Sequence, residues 1–110
     1  MIKSNYEIIK RIVEKNARVK KLDITGHYDG VALIRYIYYQ LCFNYIGKKY
    51  SHTAAAKLLK RDHNNSRYGL RAFKKLKNQK FFKSYIEIYN DSYSELLQLE
   101  AEINKIIKGI

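Results

Sequence analysis

Apolar residues recur along this chain at the three-to-four spacing of helices. Tyr6, Ile9, Ile12 and Val13 share one helical face, and Ser4-Asn5-Tyr6-Glu7 reads as a capping box because Glu7 follows Ser4 by three residues. A first helix is therefore expected from Ser4 to about Asn16. The period is lost over Ala17 to Gly30, where we expect a short helical turn over Val19 to Ile24 and a loop over Gly26-His27-Tyr28-Asp29-Gly30. From Val31 to about Ile46 the chain is apolar almost all round: Val31, Leu33, Ile34, Ile37, Tyr38, Leu41, Cys42, Phe43 and Tyr45. Such a helix belongs in the middle of a bundle, with Gly47 ending it. Its tyrosines, each with an apolar body and a wet tip, suit a shallow core.

The pattern then changes twice. Ser51-His52-Thr53 can cap a short helix over Ala54 to Leu59, whose three successive alanines allow close backbone approach. Lys60-Arg61 makes a tight break, and Asp62 is a good N-cap for a longer helix. On that helix Ser66, Gly69, Leu70, Phe73 and Leu76 fall on one side, and Asn64, Arg67, Arg71, Lys74 and Lys75 on the other. Glycine inside a helix costs about 1 kcal/mol against alanine, so Gly69 points to a close helix–helix contact. A small-residue helix, a turn and a basic helix together predict a helix-turn-helix over about residues 51–79. Beyond Asn78, Phe81, Phe82, Tyr85, Ile86 and Tyr89 form a further apolar face. Ser92-Tyr93-Ser94-Glu95 is then expected to cap a last helix carrying Tyr93, Leu96, Leu97, Leu99, Ile103, Ile106 and Ile107, either packed on the core or forming a dimer surface. Proline is absent and glycine sparse. The prediction is an all-α fold: one domain over residues 1–110, a compact bundle of about five to six helices.

Charge narrows the function. The net charge is +12. Residues 48–83 hold 12 basic side chains and 1 acidic one, whereas residues 84–110 hold 2 basic and 5 acidic. A basic block this localised is the footprint of a polyanion binder, most often nucleic acid. Cys42 is the one cysteine and so has no internal disulfide partner; a buried thiol in a reducing cytosol is the default. The first residues lack the apolar core of a signal peptide, and Arg35, Gln40 and Asn44 interrupt the longest apolar run. A cytoplasmic protein is expected, nucleoid-associated or in the host cytoplasm if phage-encoded, without membrane partners. His27, His52 and His63 with Cys42 lack zinc-ligand spacing, and no glycine-rich phosphate loop exists. Asp62-His63-Asn64-Asn65 has a passing likeness to a nuclease motif, but no second histidine and carboxylate set follows. An enzyme is not expected, nor a cofactor.

The stretch Ser51 to Phe73, above all Leu58-Leu59-Lys60-Arg61-Asp62-His63, resembles the C-terminal DNA-binding domain of the bacterial replication initiator DnaA. Val13 to Asp23 looks like the helix and connection before that family's basic loop, and Arg35-Tyr36-Ile37 like the start of its long central helix. The likeness covers about residues 8–90. It implies that Asp62, His63 and Asn64 face bases in the major groove, and that Ser51, His52, Thr53, Lys60 and Arg61 lie near phosphates. Three departures stand out. Asn64-Asn65 replace a Ser/Thr pair, exchanging a thymine-methyl contact for an amide that can pair with adenine. Ser66 replaces a core valine. The family's arginine-rich minor-groove loop maps onto Gly26 to Gly30, which holds neither arginine nor lysine, leaving His27, Lys20 or Lys21 to substitute.

Readers and anchors separate by chemistry. Asn64 and Arg67 are the expected base readers, Arg67 by bidentate contact to guanine. Asp62 can accept from a cytosine amine, and His63 can donate to a base edge. Lys49, Ser51, Lys60, Lys74 and Lys75 are expected at phosphates, and Tyr68 and Arg71 in either role. The function expected is sequence-specific binding of double-stranded DNA in replication initiation or its control, as a monomer or weak homodimer, with a separate replication protein as a further partner. Two alternatives use the same helix: a transcriptional regulator, or a small basic interaction or inhibitor module docking on an acidic partner.

Overall fold

The computed structural model describes residues 2–18 and 29–109, with the side chains of residues 2–4 and 29 outside the description. Its helices are α1 (Ile2–Ala17), α2 (Asp29–Ile46), α3 (His52–Lys57), α4 (His63–Leu76) and α5 (Lys83–Lys108), with single 3-10 turns over Gly47–Lys49 and Lys80–Phe82. The described residues hold five α-helices and no strand, so the fold is all-α as the periodicity predicts. The turn expected over Val19 to Ile24 and most of the Gly26 to Gly30 loop, with its suggested minor-groove substitutes, lie outside the described residues.

The core follows from the apolar run of α2, which touches all four other helices. Ile34, Ile37, Tyr38, Tyr39, Leu41 and Cys42 are buried there with Tyr6, Ile9, Ile12 and Val13 of α1, and Ala55, Ala56, Leu59, Phe73, Phe82 and Leu96 complete the cluster. Burial pushes the Cys42 thiol far above its ordinary range. The tyrosine tips are not all wet. The Tyr38 hydroxyl donates to the Ala55 carbonyl at 2.9 Å inside the core, and the Ser51 N–H donates to the Tyr6 hydroxyl at 2.9 Å. These bonds tie α3 to α2 and α1. No described helix is long and apolar enough to cross a membrane.

Four expectations change. α1 begins at Ile2, so Ser4 lies inside the helix rather than before its first turn. α2 begins at Asp29, which takes Asp29-Gly30 out of the expected loop. Ser92 caps nothing: it is fully buried midway along one continuous α5, accepting from Asn16 Nδ2 at 3.0 Å. α5 also runs beyond the core. Leu97, Ile103, Ile106 and Ile107 are 46–67% exposed. Phe43 is exposed as well, lining a groove.

Candidate nucleic-acid interface

The start of α4 is built by two end motifs in succession. α3 closes with a Schellman pattern: Lys60 takes a left-handed φ of 57°, its N–H donates to Lys57 O at 3.0 Å, and the Arg61 N–H donates to Ala56 O at 3.0 Å. Glycine is the usual residue there, so the sequence marks the break only weakly. Asp62 then turns extended and caps α4, its Oδ1 accepting from the N–H groups of Asn64 at 2.9 Å and Asn65 at 3.3 Å. The connection is thus short and satisfied, and it leaves His63 and Asn64 exposed at the leading end of α4.

Three contacts set the rotation of α4 about its axis. Gly69 is buried against Tyr39 and Tyr36; a Cβ on it would stand 2.7 Å from Tyr39 Cδ2 and 3.1 Å from Tyr36 Cδ1. The buried Tyr39 hydroxyl donates to Asn65 Oδ1 at 2.6 Å. Ser66, fully buried, hydrogen-bonds the Tyr50 hydroxyl and, at 2.9 Å, His52 Nδ1. Tyr50 in turn lies edge-on to His52 at 5.1 Å. Buried polar groups strongly prefer states in which they are bonded, so this network favours one seating of the helix. Asn65 and Ser66 face inward as anchors, whereas Asn64 faces out.

The outward face carries His63, Asn64, Arg67, Arg71, Lys74 and Lys75, all exposed. Tyr68 is 54% exposed at its flank, edge-on to Tyr36 at 5.7 Å. Thr53 is exposed on the first turn of α3, and Lys49 on the preceding 3-10 turn. Ser51 is occupied as the α3 N-cap, accepting from the Ala54 N–H at 3.1 Å. Lys60 is exposed, and Arg61 is half-buried, its Nη1 donating to Lys60 O at 3.3 Å. Asp62, spent on capping, is the one carboxylate between residues 48 and 83, so the block has almost no local counter-charge. Lys57, Lys77, Lys80 and Lys83 extend it as exposed cations. Tyr39 and Tyr50, the supports of the network, were not legible as such; the adjacent pair Tyr38-Tyr39 in an apolar helix was the available hint. Among the described residues, no group of three or more His, Cys, Asp or Glu side chains is placed to hold a metal ion.

His52 links the two helices electrically. Its proton affinity is lowered by partial burial first, then by the positive charge of Arg67 and by His63. A base depressed in the folded state keeps fewer protons there than in the unfolded chain, so its contribution is complete above the unfolded value of 6.5 and is lost as the pH falls below it. Denaturation midpoints should therefore decline between about pH 7 and about pH 5.5, and decline less in His52→Gln. Equal slopes in the two proteins would contradict this.

No protein-family model, curated protein or solved structure matches the chain.

Proposed function

We propose that the chain binds double-stranded DNA sequence-specifically, seating α4 in the major groove, with α3 and α4 acting as a helix-turn-helix. The observation that carries the reading is the division of α4: one side pinned by Gly69, Asn65 and Ser66, the other presenting Asn64, Arg67, Arg71, Lys74 and Lys75 to solvent. A helix held in one rotation can aim an amide and a guanidinium at base edges, which an unanchored charged helix cannot do reproducibly. Asn64 and Arg67 read bases, Asn64 favouring adenine and Arg67 guanine. His63 at the leading end and Tyr68 at the flank adjoin them. Lys49, Thr53, Lys60, Lys74 and Lys75 bind phosphates. Ser51, His52, Arg61, Asp62 and Asn65 serve mainly to shape the turn and seat the helix. The resemblance to the DnaA domain makes replication initiation or its control the favoured setting, in the cytoplasm and beside a separate replication protein; a transcriptional role would use the same surface. The reading needs no cofactor and no catalytic step.

Titration of a duplex over a salt series tests the roles. Affinity should fall with salt by about 0.9 log units per log unit for each phosphate neutralised. Arg67→Ala should cost about 1–3 kcal/mol on the preferred duplex and relax one position, whereas Lys75→Ala should weaken all duplexes alike and lower the salt slope by about one. Identical losses on preferred and random duplexes for Arg67→Ala would remove it as a reader.

A further inference from the structure

The flank of α4 lines an open groove of about 730 Å³ shared with α2 and α5. Its floor is apolar: Phe43 from α2, Leu70 and Phe73 from α4, Ile86 and Tyr89 from α5. Phe43 is 44% exposed in it, an aromatic ring left at the surface of a helix that is otherwise largely buried. Along one wall stand Arg71, Lys74 and Lys77, roughly one cation per helical turn. The remaining polar lining is amide: Gln40, Asn44, Asn78 and Asn90. Asn44 is already ordered, donating to the Tyr89 hydroxyl at 2.5 Å and accepting from Gln40 at 3.1 Å. No carboxylate is among the lining residues.

We propose that this groove docks an acidic amphipathic helical segment of a partner protein, its apolar face on the aromatic floor and its carboxylates along the Arg71–Lys77 wall. Each half of the site excludes a simpler occupant. A nucleic-acid backbone would satisfy the cations but would leave the aromatic floor against phosphate and sugar. A neutral apolar segment would cover the floor and strip water from three cations without replacing it. An amphipathic helix with acidic flanks answers both, in the helix-in-groove mode. Arg71 and Lys74 also stand on the DNA-reading side of α4, so a docked acidic segment competes with DNA for them. The groove itself does not depend on the DNA reading, because Lys77 and Phe43 belong to it alone and Arg67 to the reading face alone.

The test uses the full chain and a fluorescent synthetic peptide of about five helical turns, with leucines at the i, i+3, i+4, i+7 positions and glutamates elsewhere. Binding is read by anisotropy and by chemical-shift mapping. The proposal expects shifts at Phe43, Leu70, Ile86 and Tyr89. It expects an affinity about fivefold weaker in Lys77→Glu and in Phe43→Ser, unchanged in Arg67→Ala, and reduced by added duplex. A scrambled peptide of the same composition binding equally well would overturn it, as would an affinity indifferent to Lys77→Glu and Phe43→Ser. Concentration-dependent self-association of the chain that Lys77→Glu abolishes would also overturn it, by making the occupant a second copy.

Discussion

Phe82→Ala is expected to cost about 3–5 kcal/mol, a large part of the 5–15 kcal/mol that typically holds a domain of this kind together. Phe82 is fully buried at the junction where α4 ends and α5 begins. It stacks on Tyr85 at 5.2 Å and meets Phe73 edge-on at 5.8 Å and Phe81 at 6.2 Å. Those contacts come from three successive elements, so no single helix can shift to fill the void that alanine would leave. Removing the ring forfeits its transfer free energy and leaves a cavity lined by rigid aromatics that cannot collapse into it. Urea unfolding followed by circular dichroism measures the effect. Phe81→Ala supplies the comparison: Phe81 is 60% exposed, so its loss should cost far less. A Phe82→Ala loss below about 1 kcal/mol would place the ring outside the core.

The second large effect concerns Gly69, where two terms of opposite sign compete. Helix propensity alone favours replacement, alanine by about 1 kcal/mol and valine by less. Packing opposes it. A Cβ at Gly69 would meet Tyr39 Cδ2 at 2.7 Å, well inside normal contact. The Tyr39 ring cannot swing aside cheaply, being buried and held at its far end by the hydroxyl bond to Asn65. Tyr36 closes the other side at 3.1 Å. Overpacking of this kind costs about 1–3 kcal/mol and sometimes more. Gly69→Ala should therefore destabilise despite its better propensity, and Gly69→Val should lose about 3 kcal/mol. Because relief comes by tilting α4 away from α2, both variants should also lose discrimination between duplexes before they lose non-specific binding. Stabilisation by Gly69→Ala would show that α4 is not seated tightly on α2.

The elements that the sequence makes legible are those whose periodicity and packing agree. α2 and α4 are such cases. An all-round apolar run can only be central, and a helix with glycine and serine on one face and arginine on the other has one sensible orientation. Asp62 was readable as a cap because the acceptor, the break before it and the helix after it are contiguous. Ser92 shows the opposite. A small hydroxyl before Ser94-Glu95 looks like a cap whether or not the chain is already helical, and its true role rests on Asn16, 76 residues away. The exposed isoleucines of α5 fail for a similar reason. Their spacing promises a buried stripe, but α5 has 26 residues against 16 in α1 and 18 in α2, the helices that flank it, and its last turns extend past their cover.

The candidate interface divides along the same line. Its outward residues follow from helical geometry, which needs only local sequence. Its supports do not. Asn65 and Asn64 are the same residue type side by side, and only the Tyr39 hydroxyl 26 residues earlier separates an inward anchor from an outward side chain. Ser66 in place of an apolar residue looks like a weakened core until Tyr50 and His52 are seen to meet it.

Selection of duplexes from a randomised library by the intact chain, repeated with Arg67→Ala, tests the reading of α4 most directly. A defined motif is expected for the native chain, and the same motif with one guanine position relaxed for the variant. Enrichment of no motif, with native chain and variant binding equally at low salt, would contradict it.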